Sequence, residues 1–332
     1  IAKKLGVSVT TVSKAINKHP DISDKRRRQV LEAIKQMKYV PNTIAANLRK
    51  NSTRFIGLIV SDNTNPYFAK LVKGAEKEIT SNGYHTIIFN SDEDPDKEVA
   101  IIDELISIKV AGVIITPAMG GDKGVRILKN FNIPYILANR YINKNKDNYV
   151  IAYDEKAGFI ATNYLARNRF KKIIYINAFK EFSSARDRRL GYVKALKKNN
   201  LPVSDNQIYS NIINQNGGYK VTKDILLQHK SQFSILCYSD YIASGVIAYL
   251  NKEGINIPGE VAVMGIDNVE LFAFSNPRLS TVSLPKKTIG RESAKILINL
   301  IKNPKNPERR LVFEPKLKIR DSAWGLKEVV LI

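Results

Sequence analysis

Residues 5–17 run Leu5-Gly6-Val7-Ser8-Val9-Thr10-Thr11-Val12-Ser13-Lys14-Ala15-Ile16-Asn17, and this stretch decides the N-terminal fold. Ala2 to Leu5 fit the last turns of a helix, Gly6 supplies a stop, and Ser8 is a good N-cap for a second helix over about Val9 to Asn17. The expected order is helix, tight turn, helix. In the second helix Val12, Ala15 and Ile16 share one face by i, i+3 and i+4 spacing, while Thr10 and Lys14 lie opposite with Val9 beside them. The first set packs. The second can reach base edges, with hydroxyl and ammonium groups for bases and phosphates and Val9 for a thymine methyl. A third helix is expected from Ser23 to Met37, burying Val30, Leu31, Ile34 and Met37 and capped by Ser23 and Asp24. Its first turns carry Lys25 to Arg28, cations at the positive end of a helix dipole, an unfavourable placement unless an anion sits nearby. Three small helices with a basic face also suit a protein-binding module.

Charge separates this segment from the rest of the chain. The 332 residues carry a formal net charge of +22. Residues 1–54 hold 13 Lys or Arg against Asp21, Asp24 and Glu32, a balance of +10, which leaves +12 for the other 278 residues. A solvated basic surface accounts for the long part. Dense N-terminal charge is what a polyphosphate partner rewards through counterion release.

After Tyr39-Val40-Pro41-Asn42 breaks the helical pattern, residues 43–49 (TIAANLR) make two turns that are too short to be stable alone. Val7-Ser8, Thr11-Val12-Ser13-Lys14, Asn17, Tyr39-Val40-Pro41-Asn42, Ala45 and Leu48-Arg49, in order and correctly spaced, resemble the headpiece and hinge of the lactose-repressor (LacI) family, and the resemblance continues through nearly the whole chain. It implies an all-α helix-turn-helix headpiece plus hinge helix, followed by an α/β periplasmic-binding-protein-like core. It also implies that Ser8, Val9, Thr10, Thr11, Ser13, Lys14, Asn17, Asn42, Ala45 and Leu48 form the DNA-binding set. Val9, Thr10 and Lys14 then occupy base-reading positions, and Leu48 is the apolar wedge that pairs with its dimer mate to kink the minor groove. An ordinary linker-helix core position is the plain alternative for Leu48.

From Phe55-Ile56-Gly57-Leu58-Ile59-Val60 onward, short apolar strands alternate with amphipathic helices, which implies two doubly wound parallel-sheet subdomains. Further strands are expected at Thr86–Phe89, Gly112–Thr116, Pro134–Ala138, Lys172–Asn177, Ser234–Tyr238 and Val261–Ile266. The organisation expected is a headpiece over 1–40, a hinge helix and linker over 41–54, and a ligand-binding and dimerisation core over 55–332. Within the core an N-subdomain takes about 55–154 and 285–303, and a C-subdomain about 155–284 and 304–332. Chain crossings fall after Asp154, near Leu284-Pro285 and near Asn303-Pro304. The loop from Gly120 to Gly124 lacks P-loop spacing and is expected to be a flexible turn.

Ligands bind such sheets outside the C-terminal ends of their strands. Arg, Asp, Asn and Tyr/Phe there supply donors and acceptors for vicinal hydroxyls and an apolar face for a sugar ring. By the resemblance, Asn65, Tyr67, Phe68, Asn139, Arg140, Arg188, Ser239 and Asp267 match ligand-contacting positions. Asn139 stands where a carboxylate is common and Ser239 where Asn is common. Plainer readings are helix packing for Tyr67 and Phe68, and structural ion pairs for Arg140, Arg188 and Asp267. Asp154 and Asp240 fit structural roles better.

Cys237 is the one cysteine, and His19, His85 and His229 have no metal-ligand spacing, so neither disulfides nor a metal nor another cofactor is expected. No apolar run reaches membrane-spanning length, no charged-then-apolar leader opens the chain, and a cytoplasmic location is expected. The chain opens at Ile1 in what reads as mid-helix, so a few residues are expected to precede it. No catalytic constellation recurs, which argues against an enzyme. The expected function is sequence-specific transcriptional regulation as a repressor: a homodimer on a palindromic double-stranded operator, with DNA affinity set by a small sugar or sugar derivative between the core lobes. Alternatives are control by a protein corepressor, as in catabolite control, and an exported sugar-binding protein. No C-terminal leucine heptad points beyond a dimer.

Overall fold

The computed structural model describes residues 1–16, 19–37, 53–167, 171–229, 231–304 and 309–323. Two compact units divide at Thr53/Arg54.

In the first unit, α1 (Ala2–Leu5) ends at Gly6, whose left-handed backbone (φ 61°) lets its N–H reach Ala2 O. Ser8 then opens α2 (Val9–Ile16), its Oγ accepting from Thr11 N at 3.1 Å. Ser23 does the same for α3 (Asp24–Gln36). Val12, Ala15 and Val30 form a small core with Leu5, Ile16, Ile22 and Ile34 against it. The expectation that Leu31 and Met37 are buried fails: they are 48% and 47% exposed, and Ala33 is buried instead. A helix turns 100° per residue, so only the Val30, Ala33 and Ile34 stripe faces α2. Arg27 is also unlike its basic neighbours, since it donates to Asp24 Oδ1 at 3.0 Å and to the carbonyls of His19 and Ile22.

The second unit carries two six-stranded sheets. The first orders β11-β5-β4-β3-β1-β2 and the second β12-β10-β9-β8-β6-β7. The strands of the first are β1 (Phe55–Val60), β2 (His85–Asn90), β3 (Gly112–Ile115), β4 (Tyr135–Ala138), β5 (Tyr149–Ala152) and β11 (Arg310–Phe313). Those of the second are β6 (Ile173–Ile176), β7 (Ile208–Tyr209), β8 (Phe233–Cys237), β9 (Val261–Asp267), β10 (Ser280–Ser283) and β12 (Lys316–Lys318). All pair in parallel except β10 with β12. Helices α4 (Pro66–Ser81), α5 (Pro95–Ser107), α6 (Asp122–Asn130) and α11 (Lys286–Lys302) accompany the first sheet, and α7 (Asp154–Ala166), α8 (Ser183–Lys198), α9 (Gln215–Gln228) and α10 (Asp240–Lys252) the second. Strands β1, β3, β5, β6, β8 and β9 are buried almost throughout, as sheets covered on both faces require.

The chain passes between sheets after β5, between β10 and α11, and between β11 and β12. The last passage lies at Glu314-Pro315, not near Asn303-Pro304, because Arg310–Phe313 first adds to the edge of the first sheet by pairing with β5. The flexible turn expected at Gly120–Gly124 is also corrected. Gly120 turns at φ 71°, but Asp122 already begins α6 and Gly124 lies inside it. That helix start covers Glu98, whose carboxylate is fully buried: Oε2 accepts from Ala118 N at 2.7 Å, Oε1 meets no partner among the described residues, and a Cβ at Gly121 or Gly124 would stand 2.8 Å from Oε1.

Helices α7 and α8 cross in direct backbone contact. A Cβ on Gly158 would lie 2.2 Å from Arg188 O, and one on Gly191 2.0 Å from Glu155 O. No residue larger than glycine fits either position without moving a helix.

Candidate effector cleft and DNA-reading face

In α2, Val9 is 70% exposed and Thr10 is exposed, while Thr11, Ser13 and Lys14 are half-buried. Val12 and Ala15 face inward, so the outward side carries the residues that sequence placed there. Ser8 spends its Oγ on the helix cap. Lys14 Nζ lies 2.9 Å from Asp21 Oδ2, and the Lys14 hydrogen bond, with His19 nearby, holds the Asp21 carboxyl below its ordinary range. Asn17, Asn42, Ala45 and Leu48 lie outside the described residues.

Within the second unit, a cavity of about 190 Å³ opens between the two sheets. All eight residues expected to contact ligand line it: Asn65, Tyr67, Phe68, Asn139, Arg140, Arg188, Ser239 and Asp267. The strand ends account for this gathering. Asn65 follows β1 and caps α4, its side chain accepting from Tyr67 N. Tyr67 OH donates to Asn139 Oδ1 at 2.6 Å across the end of β4. Asn139 is left-handed at φ 70°, a backbone that Asn tolerates better than most residues. Ser239 follows β8 and caps α10, accepting from Ile242 N.

The two arginines are built into the walls. Arg140 makes a bidentate pair with Glu93 at 2.8 and 2.9 Å, donates to Pro117 O at 3.1 Å, and stacks 3.6 Å from the Phe182 ring centroid. Phe182 precedes the helix of the other sheet, so this stack joins the lobes. Tyr141 adds to the seam, its N–H donating to Ser183 Oγ at 3.0 Å and its hydroxyl to Asp187 at 3.1 Å. Arg188 donates from Nε to Asp154 Oδ1 at 2.7 Å and from a terminal nitrogen to Tyr238 O, and its other terminal nitrogen is 3.8 Å from Asp267 Oδ1. Its guanidinium lies 4.3 Å from the Tyr238 ring centroid.

Burial pushes the Asp267 carboxyl up to about 8, against the pull of Arg188, and the negative neighbours Asp240 and Asp154 add to the rise. Burial likewise raises Asp154 to about 6, with Arg188 opposing. Asp154 stands behind Arg188, and Asp240 accepts from Val269 N and Thr281 Oγ1 beneath the floor; neither lines the cavity. Sequence reasoning missed Glu93, Phe182 and Tyr238 as wall residues. For two of them the available signal was position, since Tyr238 directly follows β8 and Phe182 directly precedes α8, whereas Glu93 lies in the turn between β2 and α5.

No three His, Cys, Asp or Glu among the described residues are grouped to hold a metal, and no described helix is long and apolar enough to cross a membrane.

Known proteins match this arrangement from end to end. A sequence model described as periplasmic binding proteins and sugar binding domain of LacI family matches residues 53–319, and one described as bacterial regulatory proteins, lacI family, matches residues 1–42. The HTH-type transcriptional repressor PurR of Actinobacillus pleuropneumoniae serotype 3 (strain JL03) is 29% identical over 330 residues, covering 99% of this chain and 98% of its own. The lac repressor dimer bound to operator and the anti-inducer ONPF superposes with a TM-score of 0.84 at 20% identity, covering 97% of each chain. A LacI family regulator from Enterococcus faecium with bound ribose gives 0.74 at 25% identity, covering 82% of this chain and 100% of its own. With a helix-turn-helix headpiece and a two-sheet core matched in the same order along the sequence, the chain belongs to the LacI family of bacterial regulatory proteins.

Proposed function

We propose that this chain is a cytoplasmic transcriptional repressor that binds a palindromic operator as a homodimer and changes its operator affinity when a small sugar or sugar derivative occupies the cleft. The carrying observation is that all eight expected contact residues converge on one cavity, with two buried arginines, the buried carboxyl of Asp267 and an aromatic pair, Tyr67 and Phe68, on its wall. That is the chemistry of a polyol, which needs fixed donors, fixed acceptors and an apolar face. The operator- and ribose-bound relatives support both halves of the reading.

Domain limits follow the same logic: a headpiece over 1–40, a hinge over 41–54 and a core from 55, with the last lobe crossing taken at 314–315. A ligand that favours one lobe orientation biases whether the hinge helices fold on the minor groove, and a coupling of about 1–3 kcal/mol changes operator affinity roughly 5- to 150-fold. Val9, Thr10 and Lys14 read the major groove in this scheme, and Asn42, Ala45 and Leu48 the minor.

The test selects a palindromic DNA from a random pool with the purified protein, then measures its dissociation constant with and without pentoses, hexoses and nucleosides. A sugar that shifts both melting temperature and DNA affinity, with both effects lost in Arg188→Ala and Asp267→Ala, supports the reading. If DNA is bound but no small molecule moves either quantity, the sugar reading fails and control by a protein corepressor takes its place.

A further inference from the structure

The cleft lining contains Arg140 and Arg188 as its cations among the described residues, facing the carboxyls of Asp62, Asp92, Glu93 and Asp267. Neither guanidinium offers two open nitrogens to a bidentate anion. Arg188 gives Nε to Asp154 and one terminal nitrogen to Tyr238 O, and its other terminal nitrogen lies 3.8 Å from Asp267 Oδ1. Arg140 gives each terminal nitrogen to one oxygen of Glu93, is covered on one face by Phe182, and keeps its Nε shut away from solvent. The two side chains of the Glu93–Arg140 pair are 13% and 6% exposed. A planar guanidinium fork offers one bidentate seat for a carboxylate or phosphate, and Glu93 sits in it.

The backbone that aims Glu93 inward is unusual. Asp92 and Glu93 are successive non-glycine residues in the left-handed region, at φ 52° and 59°. L side chains adopt that conformation infrequently, Asp more readily than most, and two in succession turn the chain sharply at the cavity wall. Asp92 N donates to Ser61 O at 2.9 Å, the Asp92 carboxylate pairs with Lys97, and Asp94 N donates to Ser91 O at 2.9 Å, so the turn is fastened on both sides of Glu93.

We propose that Glu93 makes the cleft selective for a neutral polyhydroxyl effector, rejecting its carboxylate and phosphate analogues by filling the guanidinium fork they need and adding a like charge beside it. The proposal rests on the reading of the cleft as a sugar site and sets the charge of the sugar. Relative to an uncharged side chain at this position, which would leave Arg140 unneutralised, the Glu93 charge about 5 Å away at an effective dielectric of about 20 disfavours an anion on the order of 100-fold.

The measurement is isothermal titration of the full chain with three matched pairs: glucose and glucuronate, galactose and galacturonate, ribose and ribose 5-phosphate. For any pair that binds, the wild-type protein is expected to take the neutral member at least 10-fold more tightly. In Glu93→Gln, which frees the fork and removes the charge, that ratio falls at least 10-fold; in Glu93→Asp, which keeps the charge, it stays well above the Glu93→Gln value. Wild-type protein that takes an anionic member as tightly as its neutral partner overturns the proposal while leaving the sugar reading intact, and this arm needs no variant to fold. An unchanged ratio in a folded Glu93→Gln protein overturns it as well. If no member of any pair binds, the sugar reading and this proposal fall together.

Discussion

Replacing Glu98 by Gln should remove the pH dependence that this residue imposes on the core. Burial of its carboxyl, helped by the nearby Glu93 charge and opposed by the Ala118 N–H and Arg140, raises it from 4.5 to about 7. A raised folded value means that the proton is held more tightly in the native protein, so the stability it contributes is complete below about 4.5 and is lost as pH rises through about 7. At about 1.4 kcal/mol per unit, the full loss is about 3 kcal/mol, of which about 2.5 kcal/mol falls between pH 5 and pH 8. For a core of this size that corresponds to roughly 4–5 °C in melting temperature. Gln carries no charge at either pH, and its carbonyl keeps the Ala118 N–H. Its amide, however, occupies the place of the partnerless Oε1, at a cost of about 1 kcal/mol. The variant should therefore be slightly less stable than wild type at pH 5 and more stable at pH 8. Melting temperatures of both proteins across that range check this, and the difference between them isolates Glu98 from Asp154, Asp240 and Asp267, whose burial tilts both curves the same way. Two curves that stay parallel would refute the reasoning.

Arg188→Ala leaves Asp154 buried without its main partner, and about 3–5 kcal/mol should be lost in urea unfolding at pH 8, less at pH 5 where Asp154 is protonated. Lys14→Ala removes an exposed ion pair and should leave the melting temperature unchanged, while the slope of log affinity against log salt for DNA falls by about 1; an unchanged slope removes Lys14 from the DNA face. Ser8→Ala deletes the cap at Thr11 N and should cost the headpiece about 1 kcal/mol, read from hydrogen exchange of the amides of Val9–Ile16. Gly191→Ala drives a methyl group into Glu155 O and should cost about 1–3 kcal/mol; equal stability would mean that α7 and α8 can part.

Much of the fold was legible because its signals are local. Gly6, Ser8 and Ser23 act within one turn of where they stand, and β1, β3 and β8 are apolar runs that need no partner to be recognised. The strands that escaped notice, Tyr149–Ala152, Ile208–Tyr209, Ser280–Ser283, Arg310–Phe313 and Lys316–Lys318, have two to four residues each and owe their form to the neighbour they extend. Pro304 looked like the last crossing because proline punctuates a chain, whereas a four-residue edge strand decides the matter six residues later. In the cleft, strand ends predicted the right loops. Which side chains face one another was another question: Glu93 reaches Arg140 through two left-handed residues whose φ values no composition rule foresees, and Phe182 meets Arg140 only because two lobes close on each other.

The crossing at Gly158 and Gly191 bears on how such a cleft can change its ligand. Asp154 stands one helical turn before Gly158, and Arg188 lies in the turn before Gly191, so the buried pair is mounted on two rods touching main chain to main chain. No side chain is interposed there whose replacement could retune the spacing. Asn65, Glu93, Asn139 and Ser239, by contrast, project from loops and caps at strand ends, where a substitution alters one hydrogen-bonding group and leaves that mount in place. Diversification of the effector can therefore proceed by exchanging fittings around a fixed anchor, without rebuilding the anchor itself.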